Sequence, residues 1–191
     1  MNGRLIILGF FLLSSSILAQ ESDGYKRQKD IDVLHYRFDL DLSDASDMID
    51  GRAEILVNFL VPAETLELDL VNKIGNKGMV VSKINSGDEE LSFSHKDEKL
   101  SIEFPAALSG EQSLLVQYAG IPTDGLVIGE NKFGDRTFFG DNWPNRAHHW
   151  LPCIDHPSDK ATVEFVVTAP DHYQVVSNGY QIEETNLDED T

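Results

Sequence analysis

Cysteine, basic residues and any helical period are scarce in this chain, and each shortage excludes something. Cys153 is the one cysteine in 191 residues, so no disulfide within the chain can staple the fold. Burial must hold it instead, and a lone buried Cys behaves as a small hydrophobe. Lys and Arg number 15 against 33 Asp and Glu, a formal net charge of −18. Such a surface lacks the basic face that nucleic acid or an anionic membrane requires. It suits solubility outside the cytoplasm, and it favours cationic groups such as a free peptide amine. No stretch repeats apolar residues with a period of 3.6, which argues against a helical bundle. Gly-x-Ser-x-Gly, Gly-x-Gly-x-x-Gly and His-Glu-x-x-His are all missing. A serine-nucleophile elbow, a dinucleotide fingerprint and the common helical zinc motif are therefore excluded within these residues.

The N-terminus has the pattern of a secretory signal. A short basic start ends at Arg4, an apolar run follows from Leu5 to Leu13, and Ser14 to Ala19 supplies small residues suited to cleavage. The run is too short to span a bilayer. Residues 1–20 are read as a signal peptide, which makes the protein exported, to the periplasm or the medium, with no membrane span after cleavage. Residues 21–30 are polar and read as a flexible lead-in.

From Val33 onward the chain alternates with period two. Leu34, Tyr36, Phe38, Leu40 and Leu42 share one parity, and His35, Arg37, Asp39 and Asp41 the other. That is a strand with one wet face. Ser43 to Gly51 is a turn region. Ala53, Ile55, Val57 and Phe59 mark a second strand, which Pro62 is expected to end. Leu66, Leu68 and Leu70 mark a third, with Glu67 and Asp69 on its wet side. Further strands are expected at 79–84, 91–94, 99–104, 113–118 and 162–168, with a hairpin tip at 95–98. Asn178-Gly179 accepts positive φ at both turn positions and predicts a last hairpin over 173–184. About nine short strands imply an all-β fold, an antiparallel β-sandwich or a saddle-shaped pair of curved sheets. The domain is placed at 31–184, and acidic residues 185–191 read as the start of a continuation.

The densest chemistry lies between Asn142 and Lys160, with two Trp, three Pro, three His and the Cys. Pro152 and Pro157 fix φ. Asp155 can accept N–H bonds from the turn that follows it, Ser158 more weakly, and Lys160 can pair with Asp155 or Asp159. His148, His149, Cys153, Asp155 and His156 are all residue types that zinc accepts. However, adjacent residues of an extended chain face opposite ways, so a structural role outweighs a local metal site. The same histidines leave open a reactive Cys153.

Leu151-Pro152-Cys153-x-Asp155-x-Pro157-Ser158-x-Lys160 resembles the Pro-Cys-x-Asp-x-Pro segment of the aminopeptidase N family of zinc metallopeptidases, whose relatives include the leukotriene hydrolases. Tyr36-x-Phe38-x-Leu40-x-Leu42, Gly51 to Ile55 and Val175 to Gly179 match the family's N-terminal β domain in order. The resemblance implies a zinc aminopeptidase that removes N-terminal residues from peptides, with its zinc ligands in a catalytic domain outside this chain. It implies that the chain alone holds no catalytic residue and no metal, and is inactive. It also implies a wall of the substrate cleft. Members often use a Gln or Glu eight residues before the Leu or Phe of the Pro-Cys segment to hold the peptide's α-amine or to line the first specificity pocket. Trp143 stands there, so Asp141, Asn142 and Trp143 are the candidate substrate-binding residues: a carboxylate for an ammonium, or an indole for a cation–π contact. Two other readings stay open, a secreted β-sandwich binding module and a non-catalytic scaffold relative.

Overall fold

A computed structural model describes residues 23–187; residues 1–22, with the expected signal peptide, and residues 188–191 lie outside the described residues. Among the described residues nine strands form: β1 (Ile31–Asp41), β2 (Ile49–Asp69), β3 (Gly78–Ser86), β4 (Glu89–Glu90), β5 (Ser92–Lys96), β6 (Lys99–Ile121), β7 (Leu126–Glu130), β8 (Arg136–Gly140) and β9 (Thr162–Thr168). One turn of 3-10 helix spans Ala147–His149. The fold is all-β, as the alternation predicts. The main sheet runs β4-β3-β6-β2-β1-β9, with β5 also on β6, while β7 and β8 form a separate two-stranded sheet. The main sheet is mixed, because β9 lies parallel to β1. No helix among the described residues is long and apolar enough to cross a membrane.

The break expected at Pro62 is absent, and the separate strands expected at 99–104 and 113–118 are one. Pro62 does not end a strand; β2 continues through it, and β6 likewise continues through Pro105. Their pairing is irregular between Phe59↔Gly110 and Thr65↔Glu103. Both prolines fall inside that interval, where a missing N–H removes no ladder bond. Past it, the far end of β6 takes β5 as a neighbour, so the two long strands tie both parts of the sheet together. In β1 the register shifts between Val33 and His35. This bulge swaps the parity, so Val33 is buried in place of the expected Leu34. The β5–β6 turn needs only Asp97 and Glu98, both at positive φ, the conformation of a two-residue hairpin loop.

The hairpin expected over 173–184 does not form, and Val176, Tyr180 and Ile182 are exposed. A turn signal with no sheet face to pack upon leaves two strands marginal in water.

The core is one cluster, drawing Tyr36, Phe38, Ile55, Phe59, Leu66, Leu100, Leu114 and Tyr118 from the sheet and Leu126, Trp150, Leu151 and Cys153 from the later chain. Gly51 of β2 pairs with Tyr118 of β6. A Cβ at Gly51 would lie 2.4 Å from Tyr118 Cζ, so the ring covers the bare backbone. Gly51→Ala is therefore expected to cost about 1–3 kcal/mol through overpacking, read as a lower urea midpoint with unchanged m. A midpoint equal to the unmodified chain's would refute that contact.

Candidate functional site

The proline-bounded segment from Asn142 to Lys160, the elbow, is fastened to the sheet at Asp69, the last residue of β2. Sequence alternation puts Asp69 on the wet face, yet it is 5% exposed, the one buried charged side chain among the described residues. Its neighbours Leu68, Leu70 and Val71 are buried too, so the strand end is covered on both sides. That apolar run was the signal in the sequence. The backbones of Asp69 and Cys153 exchange two hydrogen bonds, 2.7 Å to Cys153 O and 3.2 Å back. The carboxylate then takes three donors: Lys99 Nζ at Oδ1, and at Oδ2 the Tyr25 hydroxyl at 2.6 Å and the Asp155 N–H at 2.8 Å. A buried carboxylate is tolerated only when donors replace its lost water in this way.

Asp155 carries the order onward. Its Oδ2 accepts the backbone N–H of His148 at 3.1 Å and His148 Nδ1–H at 2.6 Å. These donors precede Asp155, whereas an Asx turn would have used the residues after it. Tyr36 supplies its hydroxyl oxygen to the Ile154 N–H at 3.0 Å. Val71 N–H donates to His148 O at 2.8 Å. Lys160 pairs with neither candidate: Asp155 is occupied by His148, and Asp159 Oδ1 accepts the Val33 N–H at 3.4 Å. Ser158 bonds the His156 ring.

This frame presents the loop from Asp141 to Trp150. Asp141 N–H donates to Gly125 O at 2.7 Å, extending the β7–β8 pairing by one residue. Gly125 sits at φ +75° with its Cβ direction 2.1 Å from Arg146 O, so no larger residue fits beneath the loop. Asn142 Oδ1 accepts Trp150 Nε1–H at 2.9 Å, and the Trp150 ring is buried and stacked on Phe165. Arg146 Nη1 donates to Asp141 Oδ2 at 2.9 Å, and its Nε lies 3.7 Å from Asp124. Trp143 is 80% exposed, followed by a cis bond to Pro144.

The three candidate residues therefore separate. The Asn142 side chain is spent on Trp150 and positions the loop. Asp141 has one oxygen engaged by Arg146, and among the described residues nothing bonds the other. Trp143 presents an open indole. Residues 23–28 also reach the elbow. Tyr25 stacks on His156 at 4.6 Å, and Gln28 bonds the Glu67 backbone. Asp23 accepts from His156 at 2.9 Å, and that bond foremost lowers its carboxyl pKa.

Zinc does not fit the elbow. Among the described residues no three His, Cys, Asp or Glu converge as ligands. Asp155 is filled by His148, and His149 Nδ1 meets the Thr123 hydroxyl. Burial, then the nearby Asp155 and Asp69 carboxylates, push the Cys153 thiol well above its ordinary range. It is a neutral core group and not a poised nucleophile.

Two outcomes follow from these contacts. Native Cys153 is expected to resist iodoacetamide near pH 8.5, about where an unfolded thiol ionises, and to react once urea unfolds the chain. Because the folded pKa is raised, its contribution to stability is complete below that pH and declines as pH rises above it. Cys153→Ala should flatten this slope in denaturation curves between neutral and alkaline pH; rapid labelling of the native chain would contradict both. Asp155→Ala strands the His148 N–H and should cost about 1–3 kcal/mol, seen as a lower melting temperature.

The family model described as the peptidase M1 N-terminal domain matches residues 32–191. No curated protein matches the chain. Among solved structures, an M1 zinc metallopeptidase from Deinococcus radiodurans is similar at TM-score 0.68 and 25% identity, over 83% of this chain and 37% of that one. A mutant of that organism's enzyme bound to a Tyr-Ser-Ala substrate is similar at 0.67 and 27%, with the same coverage. Native yeast LTA4 hydrolase, at TM-score 0.70 and 23% identity over 83% and 26% of the two chains, shares the fold. The chain thus spans little more than a third of the metallopeptidases and about a quarter of the hydrolase. With the match covering nearly all of the strands and the whole elbow, the chain belongs to the peptidase M1 N-terminal domain family.

Proposed function

We propose that this chain is the substrate-cleft domain of an exported zinc aminopeptidase, one that hydrolyses N-terminal residues from peptides. Asp141 holds the peptide's α-ammonium, and Trp143 flanks it. The observation that carries this reading is the Asp141 carboxylate. It is half-exposed, held by Arg146 at one oxygen and open at the other, on a loop fixed from behind by Asn142, Trp150 and Asp155. An ammonium adds a charge-assisted hydrogen bond to such a group, and Arg146 keeps the carboxylate oriented. Asn142 serves as the strut. The acidic net charge of −18 favours the approach of cationic peptide ends.

The D. radiodurans enzyme is a zinc metallopeptidase with a peptide-bound form, which supports a zinc and a peptide substrate here. The zinc ligands lie in a catalytic domain outside the described residues, where the metal would polarise the scissile carbonyl. In that arrangement this chain binds and orients; it does not break the bond.

The test is an aminoacyl-anilide assay with added zinc. The purified 191-residue chain is expected to show no turnover. A protein that joins this domain to an M1 catalytic domain should release the first residue, and Asp141→Asn in it should raise KM about tenfold or more, as loss of a charge-assisted bond predicts. Chelator-sensitive hydrolysis by the 191-residue chain alone would contradict the placement of the metal.

A further inference from the structure

The two ends of the strand order β4-β3-β6-β2-β1-β9 are built differently. β4 is two residues long, and both are glutamate. A strand so short and so charged gives a neighbouring chain little to pair with. β9 runs Thr-Val-Glu-Phe-Val-Val-Thr over seven residues, with no proline, no lysine and no break in its register with β1. β1 takes one side of it, and among the described residues no strand takes the other. A regular, β-branched edge without such guards is a template for a further strand.

Pairing with β1 fixes which backbone groups are left over. Leu42 N–H donates to Thr168 O at 2.9 Å, so Thr168 turns its backbone toward β1. In a strand the N–H and C=O of one residue point to the same side, and successive residues alternate. Thr162, Glu164 and Val166 therefore serve β1 as well, while the N–H and C=O of Val163, Phe165 and Val167 point away from the sheet. The side chains alternate too. Val163, Phe165 and Val167 share the core side, where the Phe165 ring stacks on Phe38 at 5.6 Å. Even so, Val163 and Phe165 remain 52% and 36% exposed. Glu164 lies on the wet side, where Arg37 Nη1 donates to it at 2.7 Å.

This edge is complementary to itself. When a second copy is laid antiparallel with Phe165 opposite its own counterpart, Val163 faces Val167, and every outward N–H and C=O of the three residues meets a partner. Glu164 then faces Val166, so no like charges are opposed, and Thr162 faces Thr168. The exposed parts of Val163 and Phe165 are covered on the core side. Sliding the copy by the next allowed step either way leaves one residue's outward groups beyond the end of the partner strand. One of those two steps also sets Glu164 against Glu164.

We propose that β9 is a dimerisation edge, at which two copies of this chain join antiparallel about a two-fold axis through Phe165 into one continuous sheet. Such an interface is isologous, the same strand on both sides. Each copy carries a formal charge of −18, so the two repel at long range and associate more tightly as salt screens them.

The test is sedimentation velocity on the purified chain across protein and salt concentrations, with hydrogen exchange read at the amides of Val163, Phe165 and Val167. A monomer–dimer equilibrium that tightens with salt is expected, with protection of the three amides rising with the dimer fraction. Val167→Pro removes an outward N–H and no bond to β1, a change that an edge strand tolerates, and should leave a monomer. Val166→Lys sets an ammonium against Glu164 of the other copy and should tighten the dimer about fivefold, whereas Val166→Glu should weaken it by about as much. A monomer at every concentration would overturn the proposal. So would a dimer whose three amides exchange freely, or one equally tight with lysine or glutamate at position 166. Protection that does not change with concentration would also overturn it, because residues 173–184 of the same chain would then be covering the edge.

Discussion

One buried carboxylate, that of Asp69, draws the elbow, the lead-in and the start of β6 to one point. Asp69 sits where β2 ends, and its backbone and side chain together make contacts to the lead-in, to β6 and to two residues of the elbow. A charge removed from water is costly unless every lone pair finds a donor. The donors here come from segments far apart in sequence, so satisfying Asp69 and closing the fold are the same event. The elbow has little regular structure of its own; besides Asp69 it is seated by its apolar residues Trp150, Leu151 and Cys153 and by single hydrogen bonds such as those of Tyr36 with Ile154 and Val71 with His148.

From that anchor the order passes outward through short polar links. Asp155 is held by its N–H to Asp69 and in turn holds His148 twice. The one-turn helix that begins at Ala147 delivers Trp150 to the core, and the Trp150 indole fixes Asn142. Asp141 and Trp143 flank that fixed residue. The density of Pro, His and Trp in the segment thus has a mechanical purpose. It turns a connection between strands into a rigid bracket, and the residues able to meet a ligand stand at its far end. The histidines serve as props within the bracket. Under the proposed function this bracket would be the wall that places a peptide's amino end before its first bond is cut.

Much of the architecture was legible in the sequence because alternation is a local property. β1, β9 and the wet and dry faces of β2 from Ala53 to Phe59 follow directly from parity. Three features were not local and so were hidden. The bulge at Leu34 depends on register with β2. The passage of β2 and β6 through Pro62 and Pro105 depends on where cross-strand bonds are absent. The parallel seating of β9 depends on the path of the elbow. Asn178-Gly179 misled for the opposite reason: a strong turn signal says nothing about whether a sheet face awaits the two arms. In the candidate site, the spacing from Leu151 singled out three adjacent residues but not the different surroundings of each. Only the partners show that Asn142 faces inward to Trp150 while Asp141 keeps an open oxygen. Asp69 and Tyr25 were missed because both act across long sequence distances, through a carboxylate that parity assigns to solvent.

The central claim is that Asp69 fastens the elbow and, through it, the loop that bears Asp141 and Trp143. Hydrogen exchange on Asp69→Asn tests it most directly, since an amide replaces an acceptor-only carboxylate with a group that turns donors toward donors. The amide hydrogens of Cys153, Asp155 and His148 should lose protection together, while those in the β2–β6 pairing between Ile49 and Phe59 keep theirs. Unchanged protection at the three elbow amides would show that something other than Asp69 holds the bracket in place.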